Sequence, residues 1–232
     1  MKMRQLSVAA ALLLASSLAS ANVQYTFYAS GVTESYSQEG TAVFNFANDG
    51  SSLSITLTDT VDPTAAVLSS ITGLQFRLSS PATGMSLVSV SAAQVVDCTS
   101  ASSPCPAGSG SSPFGWGSMA TGSGFALGAG FDGSSFSYQP YGIVNANYAV
   151  SGGLGGPAVN PLLVGPVTFN FALSGLRYAP EVNSVVFAFG DPVHPLTLVG
   201  PQVSVPEPQS LALLAVGLIA AGWVSRRRHD PA

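Results

Sequence analysis

Alternation with a period of two constrains the fold of this chain more than any other feature. Leu53, Ile55 and Leu57 interleave with Ser52, Ser54, Thr56 and Thr58. Successive side chains of a strand point to opposite faces, so the pattern predicts a half-buried strand. The same reading predicts strands near 23–29, 41–48, 52–60, 73–79, 85–96, 135–139, 143–150, 167–174 and 183–189, with another near 196–203. Asn48-Asp49-Gly50 separates two of them with residues that accept positive φ, a hairpin signature, and Asp132-Gly133 offers a second. No amphipathic stretch between Asn22 and Val205 is long enough for a helix, and no repeat suggests a solenoid. Short strands divided by turn signals predict an all-β body: an antiparallel β-sandwich or jelly-roll-like domain. Residues 106–134 form a Gly/Ser-rich segment expected to be a long loop, and 151–161 a second Gly/Pro-rich one.

The ends do not belong to that body. Lys2 and Arg4 precede an apolar run over 6–15, and Ala19 and Ala21 supply the small residues that a signal peptidase reads, so cleavage is expected before Asn22. The run is short against the ~20 residues a spanning helix needs, and residues 1–21 are therefore read as a signal peptide. At the other end Pro206-Glu207-Pro208 is followed by Gln209-Ser210, an apolar run over 211–224, Ser225 and then Arg226, Arg227 and Arg228. As a helix the run covers about 21 Å, less than a ~30 Å hydrocarbon core, so it predicts a single, marginal transmembrane helix. Arginines directly after it favour a cytoplasmic C-terminus, with the body outside. Three segments result: 1–21, a body at 22–205, and a tail at 206–229.

The order tripeptide, hydrophobic helix, basic cluster, placed at the C-terminus of a chain with a signal peptide, resembles the PEP-CTERM sorting signal. The matching residues are Pro206, Glu207 and Pro208, the run 211–224, and Arg226 to Arg228. The resemblance implies that the tail is a substrate for an exosortase, a transmembrane cysteine protease that cuts near the tripeptide after signal peptidase has removed the other end. It also implies an inner-membrane-anchored precursor, delivery to the cell surface or extracellular matrix, and association with exopolysaccharide or biofilm. An ordinary single-span anchor is the competing reading. The prolines favour an extended segment, the form a protease cleft can grip.

Charge narrows the partners. Of seven basic residues, Lys2, Arg4 and the three tail arginines lie in the end segments, leaving Arg77 and Arg177 in the body against nine acidic residues, a formal charge of −7. Two cations cannot neutralise many phosphates, which argues against nucleic acid. Cys98 and Cys105 are the only cysteines, and in an exported chain a close pair flanking a Ser/Pro turn predicts a disulfide. A zinc site lacks ligands, since the body has one histidine, His194.

No catalytic pattern emerges. His194 among many serines leaves a triad formally open, but no G-x-S-x-G elbow is present. Gly128, Gly130 and Gly133 spell G-x-G-x-x-G in a stretch where no helix is expected to follow, which leaves a pyrophosphate no helix end to bind. Asp59 and Asp62 could begin a calcium site but lack the six to eight oxygens it needs. Phe114, Trp116, Tyr138, Tyr141 and Tyr148 can either fill a core or stack on sugars, and Trp116 is the candidate carbohydrate contact. The expectation is a non-catalytic surface or matrix protein without cofactor or metal. A carbohydrate-binding, lectin-like module and a secreted hydrolase are the alternatives.

Overall fold

Leu53, Ile55 and Leu57 are buried, and the hydroxyl residues between them are not. In the computed structural model they lie on β3 (Ser52–Asp59), whose apolar face joins the main core. The structure describes residues 22–33, 36–61, 69–98, 105–108, 110, 112–121, 124–137, 140–151, 160–190 and 196–203. The expected signal peptide, the tail from Pro206 onward, Asp62, Tyr138 and His194 lie outside them.

The other strands are β1 (Val23–Thr33), β2 (Tyr36–Phe46), β4 (Ile71–Leu78), β5 (Gly84–Val96), β6 (Gly117–Thr121) and β7 (Gly124–Gly128). They continue as β8 (Ile143–Val144), β9 (Leu162–Ser174), β10 (Val182–Phe189), β11 (Leu196–Gly200) and β12 (Gln202–Val203). All belong to one twelve-stranded sheet ordered β11-β10-β4-β8-β9-β3-β2-β1-β12, with β5 on β9, and β6 reaching β4 through β7. Every pairing is antiparallel except β8 with β9, where Ile143 faces Leu163 in parallel register, so the sheet is mixed. The all-β expectation holds at this level.

The sheet folds over a core dominated by phenylalanine. Phe44 of β2 meets Phe27 of β1 edge to face at 5.6 Å and Phe76 of β4 at 5.2 Å, and Phe76 meets Phe125 of β7 at 5.7 Å. These contacts join the β1–β2 part of the sheet to the β4–β7 part, the geometry aromatic pairs prefer. A smaller cluster of Val96, Cys98, Cys105, Val144, Tyr148, Leu162 and Val164 closes the end of β5 against β8 and β9.

Three local expectations change. The strand expected over 143–150 is a two-residue β8 followed by a helix, α1 (Ala146–Ser151). Asn145 explains the switch: its Oδ1 accepts from Asn147 N at 2.9 Å, an N-cap that favours helix over strand. The Gly/Ser-rich segment expected to be a loop contains the β6–β7 hairpin, which pairs on through β7 to β4. Of the strand expected over 135–139, the described residues 135–137 contain only an isolated bridge, Phe136 to Phe131. The hairpin signature at Asn48-Asp49-Gly50 does join β2 to β3, with Gly50 at φ 70° and Ser51 N donating to Asp49 Oδ1.

Phe44 is fully buried and touches aromatic rings from two strands. Phe44→Ala is expected to lower unfolding free energy by about 3–5 kcal/mol, measured by urea denaturation.

Candidate functional site

The tail residues Pro206, Glu207, Pro208 and Arg226 to Arg228 lie outside the described residues, so the structural question is how the body delivers the chain to them. The answer is a strand that changes partners. β11 pairs with β10 from Leu196 opposite Phe189 to Gly200 opposite Val185. One residue later β12 pairs with β1, Gln202 opposite Phe27 and Val203 opposite Thr26. Between them Pro201 O accepts from Tyr28 N at 3.2 Å.

Gly200 permits the crossing. A Cβ there would stand 2.7 Å from the Phe187 ring and 3.5 Å from the Phe27 Cβ, so the backbone slips between two core phenylalanines only without a side chain. Pro201 carries no N–H and leaves no donor unpaired at the switch. Leu198 meanwhile covers Gly31 of β1, where a Cβ would meet it at 3.0 Å. One eight-residue segment, 196–203, thus binds both ends of the sheet order.

The remaining candidates fall in different places. Cys98 and Cys105 form the expected disulfide, with Cα atoms 4.9 Å apart, and Cys98 N donates to Asn160 Oδ1 at 2.7 Å. Trp116 is buried at 2% exposure. Its indole nitrogen donates to Tyr141 O at 2.8 Å and its ring lies 4.7 Å from that of Phe169. The carbohydrate contact expected of Trp116 requires an exposed face, and this ring is spent on the core: the turn in which Trp116 N donates to Pro113 O directs it inward. Phe114 and Tyr141 are half-buried and Tyr148 is buried. Asn22, beside the expected signal cleavage, is exposed immediately before β1, while Ala19 and Ala21 lie outside the described residues.

Gly128 ends β7, and Gly130 and Gly133 follow in a turn. There Asp132 accepts from the backbone nitrogens and hydroxyls of Ser134 and Ser135, which hold its carboxyl well below the usual range. The carboxylate is an intrinsic part of that turn. An open depression of about 360 Å³ is lined by Asn22, Asn45, Ala47, Ser52, Leu53, Ser54, Asn170 and Phe171, with no carboxylate, histidine or cysteine among them. Among the described residues no three His, Cys, Asp or Glu side chains are grouped to hold a metal.

Asp59 has a role that period-two reading missed. Its position at the end of β3 falls on the apolar face, and it is buried at 5% exposure. Burial pushes its carboxyl up to about 7, assisted by the charge of Glu39 and opposed by hydrogen bonds from the Val61 and Asn145 nitrogens. It ties the end of β3 to the start of α1. Alternation from Leu53, Ile55 and Leu57 carries on to this position, whereas the residue type pointed only to a calcium candidate with Asp62.

With the delivery geometry in place, the class of the chain can be stated: a β-rich body whose closing strand leads into a C-terminal sorting segment. Residues 204–228 match the family model of the PEP-CTERM protein-sorting motif, beginning directly after Val203. The chain therefore carries that motif, which points to export and exosortase processing. No curated protein and no solved structure matches the chain. Among the described residues no helix is long and apolar enough to cross a membrane.

Two predictions follow from these contacts. Because Asp59 holds its proton more tightly when folded than when unfolded, its contribution favours folding most at low pH and is lost as pH rises from about 4 towards 7, by at most about 4 kcal/mol. Asp59→Asn is expected to flatten that part of the stability profile in urea titrations across the same range. Replacing Cys98 and Cys105 together by serine is expected to cost about 2 kcal/mol, read in the same assay, because the disulfide closes only a short loop.

Proposed function

We propose that this protein is an exported, non-catalytic surface or matrix protein whose life history is written in its two ends. A signal peptide over 1–21 takes the chain out, and signal peptidase cuts before Asn22. The apolar run 211–224 holds the precursor in the inner membrane with Arg226, Arg227 and Arg228 on the cytoplasmic side. An exosortase-type protease cuts at or beside Pro206-Glu207-Pro208, and the folded body passes to the cell surface or extracellular matrix. The body is read as a sandwich of the jelly-roll-like kind carried as cargo, taking no part in its own processing.

The observation that carries this reading is the sorting motif at 204–228, placed directly after the strand that closes the fold. Seven residues, 204–210, separate Val203 from the apolar run. At about 3.3–3.6 Å per residue they reach no more than about 25 Å. A protease at the membrane surface would meet this segment as the first accessible chain beyond the body.

Association with exopolysaccharide is the finer part of the proposal. Supporting it is an uncharged row across the outer face of five strands: Gln24, Asn45, Ser54, Asn170 and Ser89 stand in cross-strand register. Asn170 Nδ2 donates to Ser89 Oγ at 3.0 Å. In the neighbouring row the hydroxyls of Thr56 and Thr168 lie 3.0 Å apart. Amides and hydroxyls without ionic charge suit a neutral, hydroxyl-rich polymer.

Pro206→Ala combined with Pro208→Ala is expected to make uncleaved precursor accumulate in the membrane fraction. Mass spectrometry of the native extracellular protein should find a C-terminus upstream of Leu211. Normal processing of the double variant, or an extracellular form still carrying Arg226 to Arg228, would refute the proposal.

A further inference from the structure

Several connections gather at one end of the sheet. Ala179 N, between β9 and β10, donates to Asn48 O in the β2–β3 turn at 3.3 Å. Between β4 and β5, Thr83 N donates to Ser174 O at 2.9 Å and Ser79 N to Glu181 O at 2.8 Å. β1 starts at this same end, with Val23 opposite Phe46. β12 runs antiparallel to β1, so the chain direction at Val203 leads towards it. Asn22, beside the expected signal cleavage, and Val203, beside the sorting motif, therefore both open onto one end of the body.

Charge is divided along the same axis. Arg77 and Arg177, the only cations between residues 22 and 205, are both exposed and both at this end. Arg77 is next to last in β4, and Arg177 lies between β9 and β10 beside Tyr178, which is 78% exposed. Asp49 and Glu181 share the end and balance the arginines. The remaining described acids sit away from it: Glu39 and Asp59 where β2 meets the end of β3, Asp97 just after β5, and Asp132 beyond the Gly128 end of β7. No cation accompanies them.

We propose that the end bearing Arg77, Arg177 and Tyr178 is a docking surface for anionic phospholipid headgroups, occupied while the precursor is held by its tail. The inference rests on the membrane-held precursor proposed above. The tail allows at most about 25 Å between body and apolar run, so some face of the body must lie near the lipid. Screening limits the field of the headgroups to about 8 Å, so the face that touches decides the orientation. An arginine at an anionic surface is worth about a factor of five in binding, and a tyrosine ring suits the headgroup level. Among the described residues the exposed or half-buried charged groups away from this end are Glu39, Asp97 and Asp132, all carboxylates, which the same surface repels; Asp59 is buried. With Asp49 and Glu181 counted, this end is formally neutral, two cations against two carboxylates, so the preference comes from its contrast with the acidic opposite end.

The test uses the full chain reconstituted in phosphatidylcholine vesicles with and without phosphatidylglycerol. A donor fluorophore is placed through Ser80→Cys at the arginine end or Ser37→Cys at the other, with the acceptor on lipid headgroups. With phosphatidylglycerol, transfer from position 80 should exceed that from position 37. Arg77→Gln with Arg177→Gln, high salt, or omission of phosphatidylglycerol should each shrink the population ratio by roughly an order of magnitude. Equal transfer from both positions would overturn the inference, as would a contrast indifferent to the arginines, salt and lipid charge, which would mean that the tail alone sets the orientation. A chain that fails to float with the vesicles would overturn the membrane-held precursor itself, a result separable because neither label would then transfer.

Discussion

A sheet of this length presents two rows of unpaired backbone donors and acceptors unless something covers them. Here the same segment pairs with β10 along five residues and with β1 at Thr26 and Phe27, so one stretch of chain touches the outer sides of both strands. The crossing depends on the missing side chain of Gly200 and on the missing donor of Pro201. This segment ends at Val203, immediately beside the sorting motif.

What the sheet buries is mostly apolar and aromatic, and what it shows to solvent is polar with little charge. The phenylalanines of β1, β2, β4 and β7 meet edge to face or tilted across the interior, gaining packing specificity beyond area burial. Gln38, Ser69, Ser70, Thr72 and Asn160 are buried as well, and Asp59 is the one buried carboxyl among the described residues, accepting from two backbone nitrogens where β3 hands over to α1. Its protonation balance is the cost of that junction. Outside, cross-strand rows of Asn, Gln, Ser and Thr stand in for the lysines and glutamates that usually keep a sheet soluble.

This distribution separates two kinds of chemistry. The feature that points to what happens to the chain is linear, a proline-flanked glutamate before a hydrophobic run. The body contributes direction: it sends its exit strand towards the end where its first strand begins and where its only two cations are found.

Much of the strand content was legible because alternation is local. Leu53, Ile55 and Leu57 declared β3 without any knowledge of its neighbours, and Asn48-Asp49-Gly50 declared the turn before it. The reading failed where a local competitor or a distant partner decided. Asn145 capped a helix inside an apolar stretch, and β7 found a place beside β4 although its own sequence is rich in glycine.

The linear sequence by itself determined the alternating β pattern, the close cysteine pair and the sorting motif, since each is a matter of residue type at short spacing. Only the tertiary structure decided that Trp116 is spent on the core, that Asp59 is buried, that one segment closes the sheet and that Arg77 and Arg177 share an end. Those outcomes depend on which surfaces meet across tens of residues to more than a hundred, and such pairings are set by the simultaneous burial of all strands and by no short stretch among them.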